Sequence, residues 1–256
     1  MIRFSSLLYP KRLYYSNHQI HIALCIVIPL VAKLFYYSYI AKTYASVNIK
    51  FSAADYVLFS GNSVLFFPDC VFFPTLLLVF ECQNDFRVNS LIRYKKRLWL
   101  YIKHLVSLVF RQLIVTIVEI GTSVLLGYFL SRDLNNFVVR GSYFRFIHGG
   151  QGLSIPFINL CLYECLSCLL FSILILLVVL LVYWITNRPT ITIFFLFVFS
   201  CIEMYKSNSL YDKLSYNHVN IFDYSLMNTL FIFVFIILLT IGGAIISLRK
   251  EFINAK

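Results

Sequence analysis

The chain has 256 residues, of which 60% are hydrophobic and only 13% charged, with a mean hydropathy of +0.82 and a formal net charge of +11. So few polar side chains cannot cover a water-soluble core, which excludes a soluble globular domain, a disordered chain and a collagen-like one. A helical crossing of a membrane takes ~20 apolar residues, and excess cations in such a chain mark cytoplasmic loops more often than nucleic-acid binding.

Residues 1–19 contain Arg3, Lys11 and Arg12 with no acid, and read as an N-terminal amphipathic segment. An apolar run follows from Ile20 to Ile40. Thr43-Tyr44-Ala45 would pass as a cleavage site, but the run is long and ends in bulky Phe35-Tyr36-Tyr37, so it reads as an uncleaved first span. A second span is expected from about Ala54 to Phe80, interrupted by Pro68 and Pro74, and a third from about Leu105 to Leu130. The block from Pro156 to Met204 is too long for one crossing. Asn187-Arg188-Pro189 divides it, because a proline behind a charged residue favours a tight turn. The fifth span, from about Thr190 to Met204, is therefore short, and the sixth runs from about Leu226 to Ser247.

The expected fold is all-α, with six transmembrane helices in a single domain. Thirteen Lys and Arg fall on the side holding both termini and seven on the other, which places both termini in the cytoplasm and predicts a multi-pass protein of the cell membrane. The seven Cys lie mostly in apolar stretches, where free thiols are expected rather than a disulfide framework.

The segment 83–100 is the most informative stretch. Val88, Leu91, Ile92, Leu98 and Trp99 recur at helical spacing, while Asn89, Ser90, Arg93, Lys96 and Arg97 occupy the other face. Asn84 or Asp85 caps the start. This predicts a cation-dense amphipathic helix joined to a span at each end, with Trp99 and Tyr101 at headgroup level. It would either grip anionic lipid or lay one face in a partner's groove as a docking lever.

Leu91-Ile92-Arg93-Tyr94 with Lys95-Lys96-Arg97-Leu98-Trp99, followed by a span, resembles the cytoplasmic loop of ABC-2-type transporter permeases. The layout resembles that family over the whole chain: an N-terminal amphipathic segment, six spans, a brief turn after span four and a polar segment before span six. The resemblance implies a permease subunit that pairs with an identical or paralogous copy and with two cytoplasmic ATPase subunits, its cargo a peptide, lipid-like or other amphipathic molecule. It implies that the coupling helix contacting the ATPase corresponds to about Asp85 to Arg97, with Asp85, Asn89, Ser90, Arg93, Lys96 and Arg97 as coupling residues. The loop 131–155 is longer than is usual in that family.

None of the nine Gly is followed by Lys, so the chain has no phosphate-cradling P-loop, and ATP hydrolysis is expected only on a partner. The rival to a permease is an ATP-independent membrane immunity or binding protein whose basic loop grips lipid. An intramembrane enzyme lacks an adequate constellation. Gly61-Asn62-Ser63 resembles the start of an intramembrane serine-protease motif, but no His lies in a later span. Cys161, Cys165 and Cys168 share one face of an apolar helix, where small side chains allow close packing, so no metal or other cofactor is expected. The five His all fall near span ends or in loops and read as interfacial residues.

Lys33, Asp69, Arg111, Glu119 and Glu164 fall within or near predicted spans. Each costs about 2.5–3.5 kcal/mol at a helix centre on insertion scales, so each should face a partner, a cavity or water. Arg111 is near enough to a span end to snorkel. Two readings of the rest stand. Lys33 pairs with Glu119 or Asp69 as buried structure, or Asp69, Glu119 or Glu164 lines a path for cationic or amphipathic cargo. The segments 131–155 and 205–225 read as external, the latter a short interfacial cap.

Overall fold

The computed structural model describes residues 27, 30–44, 48–86, 97–205, 210–214, 216, 221–222 and 226–249. Among these residues the regular structure is helical, and the one strand-like pairing is a bridge between Lys50 and Ser142. The expected segment 1–19 lies outside the described residues, as does most of the first half of the first apolar run. Its second half forms helix α1, residues 30–44.

Helix α2, Ala53–Ser60, is buried along its whole length. The Asp55 carboxylate accepts hydrogen bonds from the backbone and hydroxyl of Ser52 at the helix start. The backbone N–H groups of Ala53 and Ala54 donate to the carbonyls of Asp133 and Leu134, so the loop satisfies donors that a helix start leaves orphaned. The chain breaks at Gly61, and Asn62 then caps a new helix by accepting from the Val64 N–H at 3.2 Å. The second span therefore begins at Ser63, one break later than the apolar run in the sequence indicates.

Helix α3, Ser63–Asp85, is wound in two registers. Pro68 lacks the donor needed for ordinary winding, and the stretch Phe67–Phe72 forms a wide π turn. It closes where the Phe73 N–H donates to the Pro68 carbonyl, five residues back. Helix α4, Arg97–Ser131, has 35 residues. At 1.5 Å per residue it is about 52 Å long, so it outreaches a hydrocarbon layer of about 30 Å. The short helix α5, Tyr143–Ile147, follows in the loop, and then come α6, Phe157–Thr186, and α7, Pro189–Tyr205. Asn187 takes the left-handed conformation (φ 55°) between α6 and α7, and Pro189 starts α7. Helices α8, Leu210–Leu214, and α9, Leu226–Arg249, complete the described chain.

Among the described residues four helices are long and apolar enough to cross a membrane: α3, α4, α6 and most of α9. Helix α7, with 17 residues, is shorter. Large apolar side chains such as Phe35, Phe110, Phe129 and Phe194 point outward, each more than two-thirds exposed. A surface of that kind is at home in lipid and not in water.

Helices α4 and α6 form the centre, with α2 against the far half of α4 and α9 against both. Gly127 permits the α2 approach, because a Cβ there would lie 2.9 Å from the Tyr56 Cβ and 3.0 Å from the Ala53 Cα. At the opposite end the foot of α3, the start of α4, the α6–α7 turn and the last turns of α9 converge. Trp184 packs on Phe86 and Tyr101 at ring separations of 5.0 and 5.7 Å. The Tyr101 hydroxyl approaches the Thr240 carbonyl at 3.5 Å and lies where a Cβ of Gly243 would be. Tyr101 is thus a buried helix-packing residue, whereas Trp99 is 59% exposed.

Candidate functional site

Apolar residues dominate α4, but one of its faces is polar. Gln112, Thr116, Glu119 and Ser123, spaced four, three and four apart, are all buried. This face meets α1, where Lys33 is fully buried. The Lys33 ammonium pairs with Glu119 Oε1 at 2.5 Å. It also donates to the Glu119 carbonyl and Ser123 Oγ, both at 2.8 Å, and to Thr122 Oγ1 at 3.2 Å. One turn on, the Tyr37 hydroxyl lies 2.9 Å from the Tyr56 carbonyl and 3.1 Å from Ser123 Oγ.

Asp69 sits in the wide turn of α3, directly after Pro68, and is 4% exposed. It lies within electrostatic reach of both Glu119 and Lys33. Gln112 reaches across to the same turn, donating from Nε2 to the Cys70 carbonyl at 3.0 Å. Glu164 enters from α6, fully buried, and accepts from the Cys168 thiol at 3.3 Å. Its carboxyl rests on Gly61, at the break between α2 and α3, where any Cβ would overlap it. Glu164 is also within reach of Glu119. Four elements thus bring Lys33, Asp69, Glu119 and Glu164 into one enclosed layer. It contains three acids and one base among the described residues.

A second polar group lies at the foot of α3. Asp85 is the last residue of α3 and pairs with Lys103 and His104 in the second turn of α4, His104 Nε2 lying 3.0 Å from Asp85 Oδ2. One turn deeper, Glu81 accepts from Ser107 Oγ at 2.9 Å and from Arg111 Nη2 at 2.5 Å. Arg111 therefore has a carboxylate partner on the neighbouring helix. Sequence reasoning singled out neither Glu81 nor His104. A readable pattern was present: acids at 81 and 85 face a base, a hydroxyl and a base at 103, 107 and 111, each series stepping by four.

His104 is fully buried between helices. Its Nδ1 lies 3.6 Å from Cys82 Sγ, so Cys82, His104 and Asp85 form a line in the order of a cysteine nucleophile, base and orienting acid. Cys82 is fully enclosed, and an enclosed thiol in apolar surroundings is chemically inert. The line fastens α3 to α4.

Of the other expected coupling residues, Arg97 begins α4, while Asn89, Ser90, Arg93 and Lys96 lie outside the described residues. Of the segment 83–100, residues 83–85 end α3 and 97–100 begin α4, and the body of the expected helix, 87–96, lies outside the described residues. Within 205–225, α8 supplies Tyr211, whose backbone N–H donates to the buried Glu203 carboxylate at 2.9 Å.

The 131–155 loop is held to the bundle. The Lys50 N–H donates to the Gly141 carbonyl and the Lys50 carbonyl accepts from the Tyr143 N–H, and Arg145 donates to the carbonyls of Gly150 and Val138. Gly149 and Gly150 take positive φ, as their turn requires. Burial against Phe144 and Phe222 holds the His148 imidazole below its usual range. No group of His, Cys, Asp and Glu among the described residues has the geometry to hold a metal ion.

An all-helical fold, an apolar exterior and polar side chains sequestered between helices define a helical membrane protein. No protein-family model, curated protein or solved structure matches the chain.

Proposed function

We propose that the chain is the transmembrane subunit of an ABC-2-type transporter. On this reading it crosses the cell membrane six times with both termini in the cytoplasm. It pairs with a second permease subunit and exports a peptide, lipid-like or other amphipathic molecule. ATP is hydrolysed on separate cytoplasmic ATPase subunits, not on this chain.

The observation that carries the reading is the clamp at the foot of α3 and α4. Asp85 binds Lys103 and His104 just outside the two ends of the basic segment 87–96. A force applied to that segment therefore moves α3 and α4 as a pair. The absence of a phosphate-binding Gly-Lys sequence fits an external source of energy. The exposure of Trp99 beside the basic segment favours the second reading, an ATP-independent immunity or binding protein anchored to lipid headgroups.

The test is purification from native membranes of the unaltered chain and of a variant carrying Arg93→Gln, Lys96→Gln and Arg97→Gln. A P-loop ATPase should accompany the native chain and be lost from the variant, which still inserts. If transport by the variant keeps its native rate, or the purified chain transports without nucleotide, the permease reading fails.

A further inference from the structure

Lys33 has three N–H groups, and Glu119, Ser123 and Thr122 take them all. That leaves no cation among the described residues to balance Asp69 or Glu164. Both acids are more than nine-tenths buried, and Asp69 Oδ2 and Glu164 Oε2 have no hydrogen-bond partner among the described residues. Gln112 Oε1, enclosed on the same face of α4 as Glu119, is equally unpartnered among the described residues. The layer therefore has a surplus of acceptors and needs donors. A carboxylate carrying a proton supplies one, and it also removes a charge that lipid and packed side chains cannot solvate. Gly61 packs so closely on Glu164 that no ion fits between them, and no metal-holding group is present among the described residues.

We propose that Asp69 and Glu164 form an intramembrane proton-binding site, each holding one proton taken from the aqueous phase, on either side of the charge-balanced Lys33–Glu119 pair. Asp69 is faced by Lys33 and Tyr37 from α1, Cys70 from its own turn and Glu119 from α4. Glu164 is faced by Cys161, Cys165 and Cys168 from its own helix, and by Cys70, Glu119 and Tyr216. Of all these groups only Lys33 carries a positive charge. The proposal does not depend on an ATPase partner.

The test is infrared spectroscopy of the purified full chain in lipid nanodiscs at neutral pH, reading the C=O stretch of protonated carboxyl groups. Asp69→Asn and Glu164→Gln should each remove one component of that absorption. Glu119→Gln, measured below its melting point, should remove none. Asp69→Asn should melt where the native chain does, since Asn reproduces a neutral acid in shape. The proposal is overturned if either substitution leaves the absorption intact, if Glu119→Gln removes a component, or if Asp69→Asn fails to fold.

Discussion

Replacing Glu119 with Gln keeps the shape of the side chain and removes only its charge, which leaves Lys33 as a cation with no counter-ion in contact. The two side chains are 0% and 4% exposed, so water cannot take over the role of the carboxylate. Removing one partner of a buried pair costs about 3–5 kcal/mol. The Glu119 carbonyl, Ser123 Oγ and Thr122 Oγ1 still hold the ammonium, which places the expected loss near the lower end. For a chain of this size each kcal/mol lowers the melting midpoint by about 2–4 °C, so Glu119→Gln should melt about 6–12 °C below the native protein. Lys33→Met with Glu119→Gln removes the orphan charge and should recover most of the loss, giving a coupling energy on the order of 2 kcal/mol. The assay is thermal unfolding of the native chain, both single variants and the double variant in one detergent. A single-variant loss below about 1 kcal/mol, or a double variant no more stable than the worse single, would refute the reasoning.

Arg111→Gln should cost less than Glu119→Gln, because its pair with Glu81 is less enclosed, the side chains being 17% and 20% exposed against 0% and 4%. A melting loss as large as that of Glu119→Gln would contradict this ordering. Gly127→Val forces α2 off α4 and should destabilise by about 1–3 kcal/mol, read as a lower midpoint and faster proteolysis near Gly61. An unchanged midpoint would show that the α2–α4 contact is not close. Asp85→Asn weakens two charge-assisted bonds at once and should cost about 1.5–3 kcal/mol. The decisive readout is loosening between spin labels at residues 83 and 99, beside the clamp, and an unchanged distance distribution would show that the clamp does not hold the helices.

Hydropathy located the long helices because lipid demands apolar side chains over a fixed length. It misplaced the start of the second span because α2 is equally apolar for a different reason: its residues are covered by protein. The sequence cannot distinguish lipid from packed side chains as the solvent of a Phe or Val. The start of α4 was hidden in the opposite way. Its first two turns carry Arg97, Lys103 and His104, which read as a polar segment, yet Leu100, Tyr101 and His104 are buried against neighbouring helices. The charged residues Lys33, Asp69, Glu119 and Glu164 were legible one by one as costly in a membrane. Their convergence was not, since it depends on how α1, α3, α4 and α6 are arranged around each other. The Gly61 contact with Glu164 was invisible for the same reason.

The wide turn in α3 is one residue too long for regular winding. Deleting a single residue from Phe67–Phe72 would let the backbone relax into an ordinary α-helix while the segments before and after it keep their relative facing. The same deletion after Phe73, where the helix is regular, would rotate the basic foot by about 100° and shift it by about 1.5 Å against the polar layer. Two deletions that look alike among apolar residues would thus differ, the one in the wide turn sparing the register and the other turning Asp85 away from Lys103.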